Sequence, residues 1–308
     1  MTVYALLFPS QCKVLRNLNL ILKKPKSKKR SFSVDWLQKG GDFLYEEVRP
    51  CAYAICDYSD TDYAEFWSEH DREYEDAVER IALRRLAVGM AGTCIEIGCG
   101  FGRLVNEYAP LCSHVLLTDY AENMIQQAKT QAQRLQLNNV ECKRVNLYEL
   151  ETLGRRFDHA VCVRVMHHVE NVYAFFRQVN LFLQDGGTFI LEYANKRNVL
   201  EILRWLFRQP NIEPLDYHPS KRKANIYYNY HPDYVRDMLM EAGFEIEEEL
   251  TVSLFRSAFL KRIFGWRFLS RVERILQKPL SRFHPGPSVF LRARKVRRCN
   301  EISGNEVK

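Results

Sequence analysis

Three glycines at alternate positions, Gly98, Gly100 and Gly102, directly follow an apolar stretch over 93–97 that contains one carboxylate, Glu96. Glycine tolerates positive φ and lacks the Cβ atom that would keep a ligand away from the main chain. A strand that runs into such a turn presents bare backbone at its end, with an acid close by. This combination predicts a binding site for an adenosine-bearing molecule.

The spacing of these glycines separates two classes of cofactor. Dinucleotide-binding turns have the pattern Gly-x-Gly-x-x-Gly and hold a pyrophosphate at the N-terminus of the following helix. In this chain the third glycine comes one residue earlier, and Arg103 stands where the dinucleotide pattern has glycine. The acid within the strand, Glu96, is not part of that pattern either. The turn therefore argues against a dinucleotide.

The pattern apolar-Glu-apolar-Gly-x-Gly-x-Gly resembles motif I of class I S-adenosylmethionine-dependent methyltransferases, and the resemblance covers about residues 75–250. Asp119 ends the next predicted strand, 17 positions after Gly102, where an acid can accept both ribose hydroxyls. Asn146 follows the third strand, where the family has an acidic or amide residue that reads the adenine amino group; an amide carbonyl still accepts such a bond. Each feature also has a simpler interpretation. The glycines could form a tight turn without a ligand, and Asp119 could act as a helix N-cap. For Met124, packing in the core is the favoured interpretation.

The resemblance implies S-adenosylmethionine as the cofactor, held by residues of motif I and of the next strand ends. The residues that it implies are Glu96, Gly98, Cys99, Gly100, Gly102, Asp119, Tyr120, Met124, Asn146, Leu147 and Arg164. The acidic, aromatic segment 58–79 is expected to form an N-terminal helix over the cofactor. Tyr74 and Arg80 are candidates to contact its methionine end.

Two histidines, His167 and His168, follow the fourth predicted strand in a stretch that resembles motif IV of the small-molecule branch of these enzymes. Ligands bind at the carboxyl ends of strands in open α/β sheets, and histidine titrates near neutrality. Either residue is therefore a candidate general base, although a role in supporting the loop is the stronger alternative. Neither the Asn/Asp-Pro-Pro-Tyr motif of enzymes that methylate adenine or glutamine amides nor the Pro-Cys motif of cytosine C5 methyltransferases follows the fourth predicted strand.

Alternating strands and helices must position these residues. We predict strands over 93–97, 114–119, 140–145, 157–163, 188–192 and 288–293, and helices over 121–137, 171–183 and 231–242, with helical character over 103–109 and a turn at 184–187. This order predicts an α/β fold, a Rossmann-like doubly wound sheet of about seven mostly parallel strands with inserted helical lid segments.

The charge of the chain defines its expected domain boundaries. The 308 residues carry a net charge of +7; 23–30 holds six basic residues, and 251–284 carries eight Lys or Arg and one Glu. We expect an N-terminal basic extension over 1–50, a methyltransferase domain over 51–295 and a tail over 296–308. Within the domain, 193–230 is an insertion and 251–284 a basic amphipathic lid, or alternatively a segment that rests on a membrane surface.

The composition of the chain limits where the protein is expected to reside and which molecules it is expected to bind. No stretch approaches the roughly 20 apolar residues that span a bilayer. The nine cysteines are scattered without a Cys-x-x-Cys pair, which favours reduced thiols in the cytoplasm and neither disulfides nor a metal site. We expect methyl transfer to an unidentified small-molecule acceptor. Two alternatives stay open. One is an RNA or protein methyltransferase that uses the basic segments, although nucleic acid is the less favoured partner. The other is a non-catalytic cofactor-binding module.

Overall fold

The structure is a computed structural model, which describes residues 67, 72–207, 213–222 and 227–296. The expected extension over 1–50 and most of the expected tail over 296–308 lie outside the described residues. Of the acidic segment 58–79, the structure describes Trp67 and the residues from Arg72 onward.

A seven-stranded sheet forms the centre of the molecule. In chain order the strands are β1 (Thr93–Ile97), β2 (His114–Asp119), β3 (Val140–Arg144), β4 (Phe157–Cys162), β5 (Leu183–Ala194), β6 (Ser220–Arg222), β7 (Tyr227–Asn229), β8 (Phe244–Val252) and β9 (Ser288–Lys295). Strands β6 and β7 form a separate antiparallel pair, and the large sheet has the order β3-β2-β1-β4-β5-β9-β8. Its first five strands are parallel, and β9 runs antiparallel between β5 and β8.

Seven α-helices accompany the sheet in the part of the chain that the structure describes. They are α1 (Glu73–Leu86), α2 (Glu122–Arg134), α3 (Val172–Phe182), α4 (Val199–Leu206), α5 (Pro232–Glu241), α6 (Ala258–Phe264) and α7 (Trp266–Leu276). Successive residues of a strand point to opposite faces of a sheet. Ile95 accordingly packs in one core with Phe175 of α3, whereas Cys94 packs in the other core with Val78 of α1. The predicted doubly wound fold, with helices on both faces, is confirmed.

The helical character expected over 103–109 takes the form of short 3-10 helices, at Val105–Glu107 and Ala109–Leu111, and not of an α-helix. Pro110, which cannot donate a backbone hydrogen bond, stands in the second of these helices. The turn expected at 184–187 instead lies within β5, which begins at Leu183 and pairs with Phe157 before the register shifts.

Candidate functional site

A cavity opens at the carboxyl ends of β1, β2 and β4. It encloses about 1030 Å³ of empty space, including its opening to solvent. Its lining comes from the turn after β1, the ends of β2 and β3, and the segment after β4. The lining residues are Glu96, Ile97, Gly98, Cys99, Gly100, Phe101, Arg103, Leu104, Thr118, Asp119, Tyr120, Met124, Val145, Leu147, Val163, Arg164, Val165 and His168.

The glycine turn forms one wall of this cavity. Gly98, Gly100 and Gly102 have φ angles of 69°, 53° and 75°, a region that side chains disfavour. A Cβ atom on Gly98 would lie 2.2 Å from Cγ2 of Val165. Gly102 was expected to contact the cofactor, but the structure places it outside the cavity lining, where a Cβ atom would meet the backbone of Ala128 in α2 at 3.4 Å. Gly98 therefore leaves room for Val165, and the positive φ at all three positions favours glycine throughout the turn.

Asp119 lies at the end of β2 with its carboxylate fixed by the backbone. Oδ2 accepts a hydrogen bond from the N–H of Gly100 at 2.9 Å, and Oδ1 accepts one from the N–H of Ala121 at 3.0 Å. Helix α2 has Ala121 as its N-cap residue, so the carboxylate orients the loop before the helix and does not cap it. Each carboxylate oxygen has a second lone pair, so a ligand in the cavity could donate two hydroxyls to this group.

Glu96 is the second carboxylate of the wall, and it is almost fully buried, with 3% of its surface exposed. Burial raises its pKa to about 7, and the nearby Asp119 carboxylate acts in the same direction. The hydroxyl of Tyr108, which donates a hydrogen bond to Oε2, and the positive charge of Arg103 oppose this rise. Near neutral pH this carboxyl group is therefore poised between its two protonation states.

Apolar side chains from three elements form the other end of the cavity. This end is lined by Met124 of α2, by Val145 and Leu147 after β3, and by Tyr120. Met124 is also 1% exposed and packs with the core, so its two interpretations coexist. A flat, weakly polar ring suits such a surface, because burial there costs few hydrogen bonds.

Asn146, which was expected to read the adenine, lies outside this lining. Its Oδ1 accepts a hydrogen bond from the N–H of Tyr148 at 3.0 Å, and its Nδ2 lies 3.4 Å from Oε1 of Glu149. This is the local turn that an Asn side chain makes with the backbone two residues later. The side chain therefore stabilises the loop after β3.

A cluster of charges closes the cavity from the side of α1. The guanidinium of Arg103 donates to both Asp76 and Glu79 of α1, and Nε of Arg164 lies 3.2 Å from Oε1 of Glu79. The indole of Trp67 covers Arg103, with Cζ 3.6 Å from the ring centroid. Glu79 is 1% exposed, so one buried carboxylate joins the segments that follow β1 and β4.

Arg164 has an unusual backbone at the end of β4. Its φ angle is +66°, a conformation that costs energy in a residue with a Cβ atom. Its N–H donates to Oε2 of Glu192 at 2.9 Å, and the other oxygen of that buried carboxylate accepts from the hydroxyl of Ser288. Burial raises the pKa of Glu192, an effect that the charge of Arg164 opposes. The strained residue is thus held from β5, beside the cavity.

Tyr74 and Arg80, the residues expected at the methionine end of the cofactor, have other partners in the structure. Tyr74 is fully buried; its hydroxyl donates to Glu273 of α7 and accepts from the N–H of Phe255 at 2.8 Å. Arg80 forms ion pairs with Asp76 and with Glu107, the latter at 2.7 Å. Neither lines the cavity, whereas Arg103, which Glu79 of α1 holds, does.

His168 lines the cavity opposite the glycine turn, whereas His167 lies outside the lining. The two rings are 4.0 Å apart, and His167 stacks on Tyr227 of β7 at 5.3 Å with an interplanar angle of 12°. The ring of His168 lies 5.0 Å from that of Tyr227. Tyr227 of β7 therefore reaches the segment after β4 beside the cavity, a contact that no local sequence pattern indicated.

Sequence reasoning also missed Glu79, Trp67 and Tyr227. Glu79 and Asp76 are three residues apart on α1, a spacing that places both acids on one helix face; this was an available signal. Asn195 and Lys196, which follow β5, hold the backbone near this side of the sheet. Asn195 donates to the carbonyls of His284 and Gly286 at 2.8 Å, and Lys196 donates to the carbonyl of His218.

The donor set of this cavity fits S-adenosylmethionine better than a phosphate-bearing cofactor. Glu96, a carboxyl group within β1, has no counterpart in the dinucleotide pattern, and its charged form would repel a pyrophosphate at the glycine turn. The one guanidinium of the turn, that of Arg103, is already bound by two carboxylates of α1. Among the residues that the structure describes, no group of three or more His, Cys, Asp or Glu side chains is arranged to hold a metal ion.

Comparison with known proteins agrees with this geometry. A family model described as a methyltransferase domain matches residues 95–189. N-methyltransferase 4 of Papaver somniferum is 30% identical over 123 residues, which are 38% of this chain and 34% of that protein. A ubiquinone biosynthesis O-methyltransferase of Acinetobacter baylyi is 25% identical over 140 residues, which are 43% of this chain and 58% of that protein. The matches thus span about a third to three fifths of these relatives.

Solved structures share the fold. An S-adenosylmethionine-dependent methyltransferase from Mesorhizobium loti superimposes with a TM-score of 0.50 at 22% identity, covering 72% of this chain and 99% of that one. Magnesium protoporphyrin IX methyltransferase from Synechocystis, solved with S-adenosylhomocysteine, superimposes with a TM-score of 0.53 at 16% identity, covering 77% and 96%.

Proposed function

We propose that this chain transfers a methyl group from S-adenosylmethionine to a small-molecule acceptor, because residues 95–189 match a methyltransferase domain and the fold is that of S-adenosylmethionine-dependent methyltransferases. The observation that carries the proposal is the Asp119 carboxylate, which two backbone N–H groups fix beside the glycine turn in the wall of a large cavity. A group held in this way is ready to bind vicinal hydroxyls without reorganisation.

The residues of the cavity have separate roles in this proposal. Asp119 binds the ribose, and Met124 and Leu147 pack against the adenine. Glu96 and the backbone of the turn face the methionine end, and Arg164 supports the segment between cofactor and acceptor. S-adenosylmethionine, when bound, supplies an electrophilic methyl group, so the main task of the protein is to align the acceptor and to exclude water.

His168 is the side chain that we assign to the acceptor. It lies in the cavity wall at the end of β4, and a neutral imidazole there can take a proton from an acceptor hydroxyl or ammonium group. His167 and Tyr227 form the aromatic support behind it. We assign these two residues a positioning role, because they lie outside the cavity lining.

A small molecule is the acceptor that the relatives support. The poppy protein is an N-methyltransferase and the Acinetobacter protein an O-methyltransferase of ubiquinone biosynthesis, so nitrogen and oxygen acceptors are both within the range of related domains.

The five cysteines that the structure describes are unpaired. This is in line with a reducing compartment, and we propose the cytoplasm.

The experiment is to incubate the full chain with S-adenosylmethionine and to measure S-adenosylhomocysteine after adding separate pools of phenols, amines, total RNA and denatured protein. We expect product with a small-molecule pool, and none from Asp119→Ala, whose fold circular dichroism would verify. Product with RNA or protein alone would overturn the acceptor class. No product with any pool, from a protein that binds the cofactor, would favour a non-catalytic binding module.

A further inference from the structure

Large apolar side chains are exposed on three helices, α4, α6 and α7. On α4, Leu200 and Leu203 are 54% and 43% exposed, and Phe207, which follows the helix on the same side, is 81% exposed. On α6 and the first turn of α7, Phe259, Ile263, Phe264 and Phe268 are each more than half exposed. We call these seven residues the rim surface. Exposed apolar groups in such number mark a contact surface.

The rim surface lies at the edge of the sheet where the cavity opens. Helix α4 follows the carboxyl end of β5, and α6 follows the carboxyl end of β8. The segment 284–287, which leads into β9, lies between these two strand ends. The N–H of Val199 in α4 donates to the carbonyl of Pro285 in this segment. Lys261 of α6 pairs with Glu75 of α1 at 3.3 Å. One turn further along α1, Glu79 forms an ion pair with Arg103, a residue of the cavity wall. A partner on the rim surface would therefore face the cavity mouth.

The hairpin of α6 and α7 is fixed with its apolar residues outward. Glu273 on the inner face of α7 is fully buried and accepts hydrogen bonds from the N–H groups of Ser253 and Leu254, at 2.7 and 2.8 Å. Leu269, one turn earlier, packs against the core. These contacts anchor α7, so the exposure of Phe268 results from a defined orientation of the helix.

Arginines are interspersed with the apolar residues of the hairpin. Arg262, Arg267, Arg271 and Arg274 are exposed, and within the described part of the chain Arg262, Arg271 and Arg274 form no ion pair. Unpaired cations beside aromatic side chains are what an anionic lipid surface binds, through the headgroup charge and the apolar region beneath it. No helix among the described residues is long and apolar enough to cross a membrane.

We propose that the rim surface lies on an anionic lipid bilayer as a peripheral contact, with the cavity mouth turned toward the lipid. The aromatic residues of α6 and α7 enter the headgroup region, and the arginines beside them contact lipid phosphates. An acceptor dissolved in the bilayer would then reach the cavity without crossing water, so an amphiphilic small molecule is the acceptor class; this last step rests on the proposed function.

Vesicle flotation of the full chain tests the contact without cofactor or acceptor. Vesicles of phosphatidylcholine alone are compared with vesicles that contain 30 mol% phosphatidylglycerol, at low and high salt. We expect binding to the anionic vesicles, reduced by salt, and at least a fivefold lower bound fraction for the double variant Phe259→Asp/Phe264→Asp. Val88→Asp is the matched control, because Val88 is as exposed as Phe259, at 69%, and follows the far end of α1; it should bind as the wild type does.

Three results would overturn the proposal. They are no binding of the wild type to anionic vesicles, equal binding by the double variant, and a change from dimer to monomer in the double variant without lipid, which would identify the rim surface as a contact between copies of the chain. Calorimetry with S-adenosylhomocysteine on the same variants keeps this test separate from the proposed function. Retained cofactor binding with lost flotation affects the membrane contact alone.

Discussion

Two carboxylates share the wall of the cavity but differ in their surroundings. Two backbone N–H groups fix the carboxylate of Asp119. Glu96 is almost fully buried and has one hydroxyl donor, Tyr108, so burial dominates and its pKa rises to about 7. The same type of side chain therefore accepts fixed backbone hydrogen bonds at the end of β2 and titrates near neutral pH on the adjacent strand β1.

Cofactor binding should release a proton from Glu96. In the free protein at pH 6.5 a carboxyl with a pKa of about 7 is mostly protonated. A cation or a hydroxyl donor beside it favours the charged form and lowers its pKa, so the proton leaves on binding. We expect release of up to about one proton for S-adenosylmethionine at pH 6.5, measured by calorimetry in buffers of different ionisation enthalpy. Glu96→Gln should abolish the release; equal release by the variant, or proton uptake, would contradict the assignment.

His168→Gln should lower turnover and leave cofactor affinity almost unchanged. If the imidazole takes a proton from the acceptor, its loss costs on the order of 100-fold in kcat, and the acid limb of the pH profile disappears. Affinity for S-adenosylhomocysteine should stay within about twofold, since the glycine turn and Asp119 are intact. His167→Gln is the matched control and should retain the fall of kcat at acid pH. A base at His168 would be contradicted if both variants lost this acid limb, or if neither did.

The sequence indicated those site residues that stand at fixed offsets from strand ends. Glu96, Gly98, Gly100 and Asp119 reach the cavity wall because the carboxyl ends of parallel strands meet at one edge of the sheet. Tyr74, Arg80 and Asn146 do not reach it, because their direction depends on partners distant in sequence or on a local turn, such as Glu273 for Tyr74. Spacing along the chain carries no information about such partners.

Helix α1 determines how the cavity is closed on one side. Its acids Asp76 and Glu79 lie three residues apart, so both face Arg103, and Glu79 also reaches Arg164. The helix thus couples the turn after β1 to the segment after β4. Apolar periodicity indicated the helices α2, α3 and α5 from the sequence, but the charged contacts of α1 follow from packing, which periodicity does not specify.

Glu79→Gln should destabilise the protein more than a surface substitution on the same helix. Removing the carboxylate leaves Arg103 and Arg164 without their shared buried partner, which costs about 3 kcal/mol and lowers Tm by roughly 6 to 12 °C. Scanning calorimetry of the apoprotein measures this shift. Glu73→Gln, on the exposed face of the first turn, should shift Tm by less than about 2 °C; equal shifts in the two variants would exclude a buried ion-pair role for Glu79.

At the scale of the whole molecule, the alternation of strands and helices was sufficient to predict the doubly wound sheet. It did not specify that β9 lies between β5 and β8, because strand order depends on pairing between segments about 100 residues apart. That order is nonetheless what brings α4 and α6 to the edge where the cavity opens. Helices α4 and α6 both lie beyond the matched residues 95–189.

Calorimetric titration of the full chain with S-adenosylhomocysteine tests the central claim most directly. We predict saturable binding at one site per chain, no binding of NAD, and at least about tenfold weaker binding by Asp119→Ala, since that variant loses hydrogen bonds to a charged group. Asp185→Ala, at a carboxylate in the exposed part of β5, should bind as the wild type does. A folded wild-type protein that binds NAD, or that gives no heat with S-adenosylhomocysteine, would contradict the assignment of this cavity to a methyl donor.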